Sequence, residues 1–308
     1  MTERKNVAAS VKQRLMNISR QRGDNFNILL VRYGIERLLF RLGRSAHGAN
    51  FVLKGAMLFH LWTARSHRPT RDVDLLGTGS PNLDRLRDVF RTVCAAPFDD
   101  DGLEFQAESV MAERIKEDAD YEGVRITLSA RLGSARIALQ VDVGFGDAVV
   151  PPPEVAEIPT LLDHPRPRLQ VYWRSTVVAE KLQALVDLGL ANSRMKDFYD
   201  LLFLSKTFDF NGRELTRSVA ATFSRRSTTI PRGVPTGLTD EFADDQAKVI
   251  QWRAFLRRAQ LDREEIDLKP VVVGLRRFLV PILESIVAGS DFDEVWPAGG
   301  PWVVAGSM

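Results

Sequence analysis

Two aspartates flank a single valine in the run Asp72-Val73-Asp74-Leu75-Leu76. The apolar Val73, Leu75 and Leu76 predict a buried strand, and residues two apart on a strand share a face, so both carboxylates aim at one spot. Two such charges repel unless a cation or a shared proton relieves them. Paired hard oxygen ligands suit Mg2+, or Mn2+ in its place, bound together with substrate phosphates. A third acid, Asp142, stands in the apolar alternation Ala138-Leu139-Gln140-Val141-Asp142-Val143-Gly144, where it is costly unless paired or metal-bound. It reads either as a third metal carboxylate or as a strand-edge residue that caps a neighbouring backbone. On adjacent strands, Asp72, Asp74 and Asp142 would form a two-metal phosphoryl-transfer site, in which cations hold a triphosphate and lower the pKa of an attacking hydroxyl.

Upstream, Leu53-Lys54-Gly55-Ala56 reads as a strand-to-helix turn, where backbone N–H groups at a helix start can approach phosphate. An ordinary turn would have the same glycine. Thr70 lies two residues before Asp72, and Arg65, Arg68 and Arg71 crowd that loop, offering a hydroxyl and guanidinium groups to phosphate oxygens. Alternation with the carboxylates points Arg71 to the opposite side. Further on, Lys181 follows Glu180 within the helical pattern Val177, Val178, Leu182, Leu185 and Val186. Asp197 and Asp200 share a face of the next helix at i, i+3. Two readings stay open for Lys181 and Asp197: a cation on a triphosphate with an acid that orients it, or an interhelical salt bridge. The histidines His47, His60, His67 and His164 show no ligand spacing, and the absence of P-loop and G-x-S-x-G signatures argues against those mechanisms.

The elements that must position these groups follow from periodicity. Ser10 is a permissible N-cap for a first helix ending near Gly23, and a second helix runs from Phe26 to about Leu42, ended by Gly43. A short strand at 51–53, a helix at 56–62 and a strand at 72–76 come next. Ser80-Pro81 opens a helix to about Val93, and three strands occupy about 103–112, 121–131 and 135–145. The Pro-rich stretch from Pro151 to Pro167 separates mixed from helical sequence. The expected units are 1–150, a connector at 151–170, a helical domain at 171–295 and an irregular tail at 296–308. Helices are expected at 176–190, 197–205, 213–223, 242–260 and 271–287.

At 308 residues, with 44% hydrophobic and 27% charged side chains, the chain can bury a core and is not a disordered polymer. One cysteine, Cys94, permits no internal disulfide and points to a reducing compartment. The longest apolar runs fall short of a membrane span, and the charged start is unlike a secretory signal, so a cytoplasmic protein without a membrane partner is expected. Residues 1–71 carry a net charge of +11 and the remainder −9. That split suits a polyphosphate partner, and it also suits two helices with solvated arginines.

Four ordered segments, Phe51-Val52-Leu53-Lys54-Gly55-Ala56-Met57-Leu58, Arg68-Pro69-Thr70-Arg71-Asp72-Val73-Asp74-Leu75, Val178-Ala179-Glu180-Lys181-Leu182-Gln183-Ala184-Leu185 and Lys196-Asp197-Phe198-Tyr199-Asp200-Leu201, resemble the motifs of the AbiEii/AbiGii-type nucleotidyltransferase toxins, which include the MenT toxins and belong to the polymerase-β-like nucleotidyltransferases. The resemblance covers about residues 5–260. It implies an α+β (mixed α/β) fold, with a nucleotidyltransferase-like N-terminal half built on a mixed sheet and a helical C-terminal domain. It places Gly55 in the phosphate-binding turn, Thr70 beside the phosphates, Asp72 and Asp74 on metal, Lys181 on the triphosphate and Asp197 completing the site, with Asp142 where related enzymes keep a third acid. Ala56 departs from the superfamily's usual Gly or Ser. The resemblance further implies an NTP substrate, a tRNA 3′-end acceptor, a cognate antitoxin and a role in a type IV-like toxin–antitoxin or phage-defence system. Two alternatives are an NTP- or RNA-binding regulator without catalysis and a transferase acting on a protein.

Overall fold

A computed structural model describes residues 7–63, 68–96, 101–117, 121–261 and 266–306; Arg65 and His67 of the expected loop lie outside them. The chain divides into two compact units, Met1–Gly146 with Glu154–Val171, and Asp147–Pro153 with Tyr172–Met308.

The first unit is built on a seven-stranded mixed sheet. Its elements are α1 (Val7–Arg22), α2 (Phe26–Arg44), β1 (Phe51–Lys54), α3 (Leu58–Trp62), β2 (Asp72–Gly77), α4 (Leu83–Ala95), β3 (Leu103–Glu117), β4 (Tyr121–Leu132), β5 (Ala135–Phe145), β6 (Glu154–Glu157) and β7 (Arg168–Val171). The strand order is β3-β4-β5-β2-β1-β7-β6, with β2 parallel to β5, β1 parallel to β7 and the other neighbours antiparallel. Val73, Leu75, Val141, Val143, Val124 and Ile126 supply the apolar face of the central strands, all essentially fully buried, which leaves their polar neighbours on the other side.

Several local expectations change. Ser10 lies inside α1. Gly43 does not stop α2, which continues to Arg44 and is capped by Ser45. A Cβ at Gly43 would overlap the Arg168 carbonyl oxygen, so this glycine lets α2 pack directly on β7. Helix α4 begins at Leu83 because Asn82, rather than Ser80, accepts the Arg85 backbone N–H at 2.8 Å. The Pro-rich stretch also carries order: β6 and β7 extend the sheet beyond β1.

Helix α2 carries a buried ionic hub. Asp101 is 2% exposed and accepts Arg37 Nε at 2.9 Å and Arg41 at 2.7 and 3.2 Å. Burial alone would raise its pKa, but Arg41 and Arg37 outweigh that and hold the carboxyl below its usual range. Tyr33 donates to the Asp101 carbonyl at 2.7 Å, and Arg37 donates to the Pro165 carbonyl at 2.7 Å, so the helix fastens two loops.

The second unit is mostly helical: α5 (Arg174–Leu188), α6 (Met195–Thr207), β8 (Phe210–Asn211), α7 (Gly212–Arg225), α8 (Asp240–Asp244), α9 (Gln246–Arg258), α10 (Leu268–Ala288), β9 (Glu294–Trp296) and β10 (Val303–Val304). The single helix expected at 242–260 is two, because Asp245 accepts the Lys248 backbone N–H at 2.9 Å and starts a new helix. Two strands reach the expected tail: β9 ends at Trp296 and β10 pairs with it, in a three-stranded sheet of order β10-β9-β8, and the Trp296 indole, 5% exposed, donates to the Ser205 carbonyl at 2.7 Å. Rings of Trp296 and Trp302 stand 4.9 and 5.9 Å from Phe278.

Asp101→Ala strands two buried guanidinium groups without a counter-ion, and unfolding in denaturant is expected to show a loss of about 3–5 kcal/mol. A loss below about 1 kcal/mol would mean the hub contributes little.

Candidate active site

The register of the first unit's sheet sets where its charges fall. Asp74 on β2 stands opposite Lys54 on β1 and Asp142 on β5; Asp142 stands opposite Arg125 on β4, and Arg125 opposite Glu113 on β3. Directly opposed residues share a face. Lys54, Asp74, Asp142, Arg125 and Glu113 therefore form one row across five neighbouring strands. Asp72, two residues before Asp74, stands on the same face opposite Gln140. The alternation of β2 thus brings Asp72, Asp74 and Asp142 to one surface.

Each aspartate is held differently. Thr70, 7% exposed, donates its hydroxyl to Asp72 Oδ1 at 2.7 Å, so the loop residue expected beside phosphates fixes the orientation of the first carboxylate. Asp74 lies over the Gly55 turn: Gly55 has φ +72°, and a Cβ there would overlap Asp74 Oδ2. Only glycine meets both demands, the left-handed backbone and the carboxylate pressed against its Cα. Lys54 caps the short 3-10 turn Gly55–Met57 that leads into α3. Arg71, immediately before β2, is exposed.

Asp142 is gripped by a guanidinium fork, with Arg125 Nε to Oδ1 and Nη2 to Oδ2 both at 2.9 Å, and Gln140 Nε2 adds contacts of 3.3 and 3.1 Å. The Asp142 hydrogen bond, ahead of a smaller opposing effect of burial, raises the pKa of Arg125 and keeps it charged. Neither Arg125 nor Gln140 was legible as a site residue, because nothing in a sequence states which residue of β4 will oppose Asp142. The one available signal was a charge in the polar phase of the Val124, Ile126, Leu128 alternation.

The donor set fits a hard divalent cation at Asp72 and Asp74: two carboxylates share a face, and a side-chain-free glycine lies beneath one of them. Among the described residues no three His, Cys, Asp or Glu side chains are gathered as a metal-binding cluster, and the third expected carboxylate, Asp142, is bonded to Arg125.

Lys181 and Asp197 belong to the second unit and form a cluster there. Lys181 Nζ lies 2.5 Å from Asp197 Oδ1 and 2.8 Å from Asp200 Oδ2, and Arg194 Nε lies 2.7 Å from Asp197 Oδ2. Asp197 and Asp200 are 2% and 0% exposed, whereas Lys181 keeps 13%. Burial would push the Asp197 carboxyl up, but Lys181 and then Arg194 together hold it below its usual range. The interhelical salt bridge expected between Lys181 and Asp197 is formed. On the same helix, Glu180 faces Arg226 at 3.7 Å, which also binds Asp147 at 2.9 Å.

Lys181→Ala leaves two buried carboxylates facing each other, so a loss of about 3–5 kcal/mol in denaturant unfolding is expected. Adding Asp200→Asn is expected to restore part of it. A double variant no more stable than Lys181→Ala would show that the two acids do not share one cation.

No curated protein matches the chain. Two Helicobacter pylori crystal structures are weakly similar to the chain. One, assigned provisionally as a nucleotidyltransferase, is 17% identical, with 83% of this chain and 94% of that chain covered and a TM-score of 0.46. The other, JHP933, is 16% identical, with 82% and 90% covered and a TM-score of 0.45. The family model for the nucleotidyl transferase AbiEii toxin of type IV toxin–antitoxin systems matches residues 37–293, spanning both the aspartate face and the Lys181 cluster. The chain belongs to the AbiEii nucleotidyltransferase toxin family.

Proposed function

We propose that this toxin transfers a nucleoside monophosphate from an NTP to an acceptor hydroxyl, with Mg2+ or Mn2+ on Asp72 and Asp74, and that its acceptor is the 3′ end of tRNA. The observation that carries the reading is the shared face of Asp72 and Asp74 above the Gly55 turn. A bound divalent cation would neutralise phosphate charge and favour the ionised hydroxyl. The chain's own residues do the positioning. Thr70 fixes Asp72, Gly55 gives the Asp74 carboxylate its room in the turn that the resemblance assigns to phosphate, and Lys54 supplies a cation in the same row. Lys181 and Asp197 keep the roles the resemblance gives them, a cation for the triphosphate and the acid that holds it. In the transfer, the hydroxyl oxygen bonds to the α-phosphorus, the bond between that phosphorus and the bridging oxygen breaks, pyrophosphate leaves, and the hydroxyl proton passes to solvent.

The polyanionic acceptor is supported by the +11 charge of residues 1–71 and by Arg14, Arg20 and Arg22, which are exposed on α1. Capping tRNA in the cytoplasm would block translation, giving an antitoxin-controlled toxin a role against phage. Among the described residues no helix is long and apolar enough to cross a membrane.

Incubation with each labelled NTP, Mg2+ and total RNA or protein is expected to label tRNA, and Asp72→Asn or Asp74→Asn to abolish labelling, a fall of at least about 100-fold, in folded protein. Label in protein would replace the acceptor. Wild-type turnover by either variant would remove the carboxylate assignment.

Affinity for tRNA is expected to fall steeply with salt, because each phosphate neutralised by Lys or Arg releases counterion. Reversing Lys12, Arg14, Arg20 and Arg22 to Glu should flatten that slope while NTP binding stays near wild type. Affinity indifferent to salt and to these reversals would contradict an RNA-guiding basic segment.

A further inference from the structure

Arg125 stands between two acids. On the inner side it holds both oxygens of Asp142 at 2.9 Å. On the outer side it is in register with Glu113 on β3, the edge strand. Glu113 is exposed, and the Arg125 side chain is 34% exposed against 20% for Asp142, so the guanidinium can change partner without disturbing the buried apolar face. Asp142 has a competing claim on its oxygens, because it stands directly opposite Asp74, one of the two carboxylates assigned to a cation. A carboxylate whose two oxygens are engaged in a fork is a poor metal ligand until the fork opens.

We propose that Arg125 is a displaceable counter-ion that controls the third carboxylate: it holds Asp142 until a divalent cation takes that carboxylate, and its guanidinium then passes to Glu113. The inference rests on the reading of Asp72 and Asp74 as cation ligands. It divides the face into a first cation position, made by Asp72 and Asp74 alone, and a second that needs Asp142 and opens only against Arg125. Arg125 is a positioning residue in this account, acting through Asp142 rather than on the substrate. The row from Lys54 to Glu113 gives the physical reason: Lys54 stands opposite Asp74, whereas Asp142 beside it needs a positive charge of its own, which either the guanidinium or a cation supplies.

The test is Mn2+ binding by the full chain, read from the electron paramagnetic resonance signal of free Mn2+, without nucleotide. Arg125→Gln is expected to bind the Asp142-dependent Mn2+ about fivefold to tenfold more tightly, the scale of one partly exposed ion pair. Arg125→Lys, which keeps the charge and loses the fork, should fall between it and wild type. Glu113→Gln, which removes the receiving partner, should weaken binding by about twofold to threefold. In an Asp142→Asn background, Arg125→Gln should have no further effect. Unchanged Mn2+ affinity in folded Arg125→Gln, or an equal tightening in the Asp142→Asn background, would overturn the counter-ion role. The Asp72→Asn/Asp74→Asn double variant separates the two levels: wild-type Mn2+ binding there would remove the cation reading itself, whereas its loss leaves the Arg125 comparison as the deciding result.

Discussion

The repulsion between carboxylates gathered on one face of a sheet is the constraint on which the first unit depends. The parallel pairing of β2 with β5 sets Asp74 directly opposite Asp142, and alternation adds Asp72 two residues away. Such a face is unfavourable in isolation, and its surroundings answer that. Thr70 donates to Asp72, Gly55 makes room for Asp74, and Arg125 neutralises Asp142. The apolar side of the same strands, with Val73, Leu75, Val141 and Val143 fully buried, fixes the register. A slip of one residue would bury the acids and expose that core.

The second unit meets the same problem with side-chain cations. Two buried carboxylates, Asp197 and Asp200, share Lys181, and Arg194 brings a second positive charge to Asp197. Lys181 is thereby held at one place by two buried acids of the next helix, with 13% of its side chain exposed.

Much of this was legible in the sequence where period and spacing act locally. Asp72-Val73-Asp74 announced its shared face, the strands at 121–131 and 135–145 were recognisable from alternation, whereas the one expected at 103–112 runs on to Glu117, and the i, i+3 spacing of Asp197 and Asp200 placed them together. What stayed hidden depends on partners distant in sequence. Arg125 becomes meaningful only through the β4–β5 register, and Gly43 looks like a helix stop until β7 is packed against it. The Pro-rich stretch reads as a connector because four-residue strands such as β6 and β7 are too short to show a period. Trp296 and Trp302 read as part of an irregular tail for the same reason: what they cover, the ring of Phe278 on α10, becomes visible when the chain is folded.

The central claim is that Asp72 and Asp74 form the cation site of a nucleotidyltransferase toxin. Anomalous diffraction from crystals grown with Mn2+ and a non-hydrolysable NTP tests it most directly. A Mn2+ peak bridging these two carboxylates and the triphosphate, within about 2.0–2.3 Å of their oxygens, is the result this account predicts. A triphosphate bound away from the β2 face, with no Mn2+ on either aspartate, would contradict it.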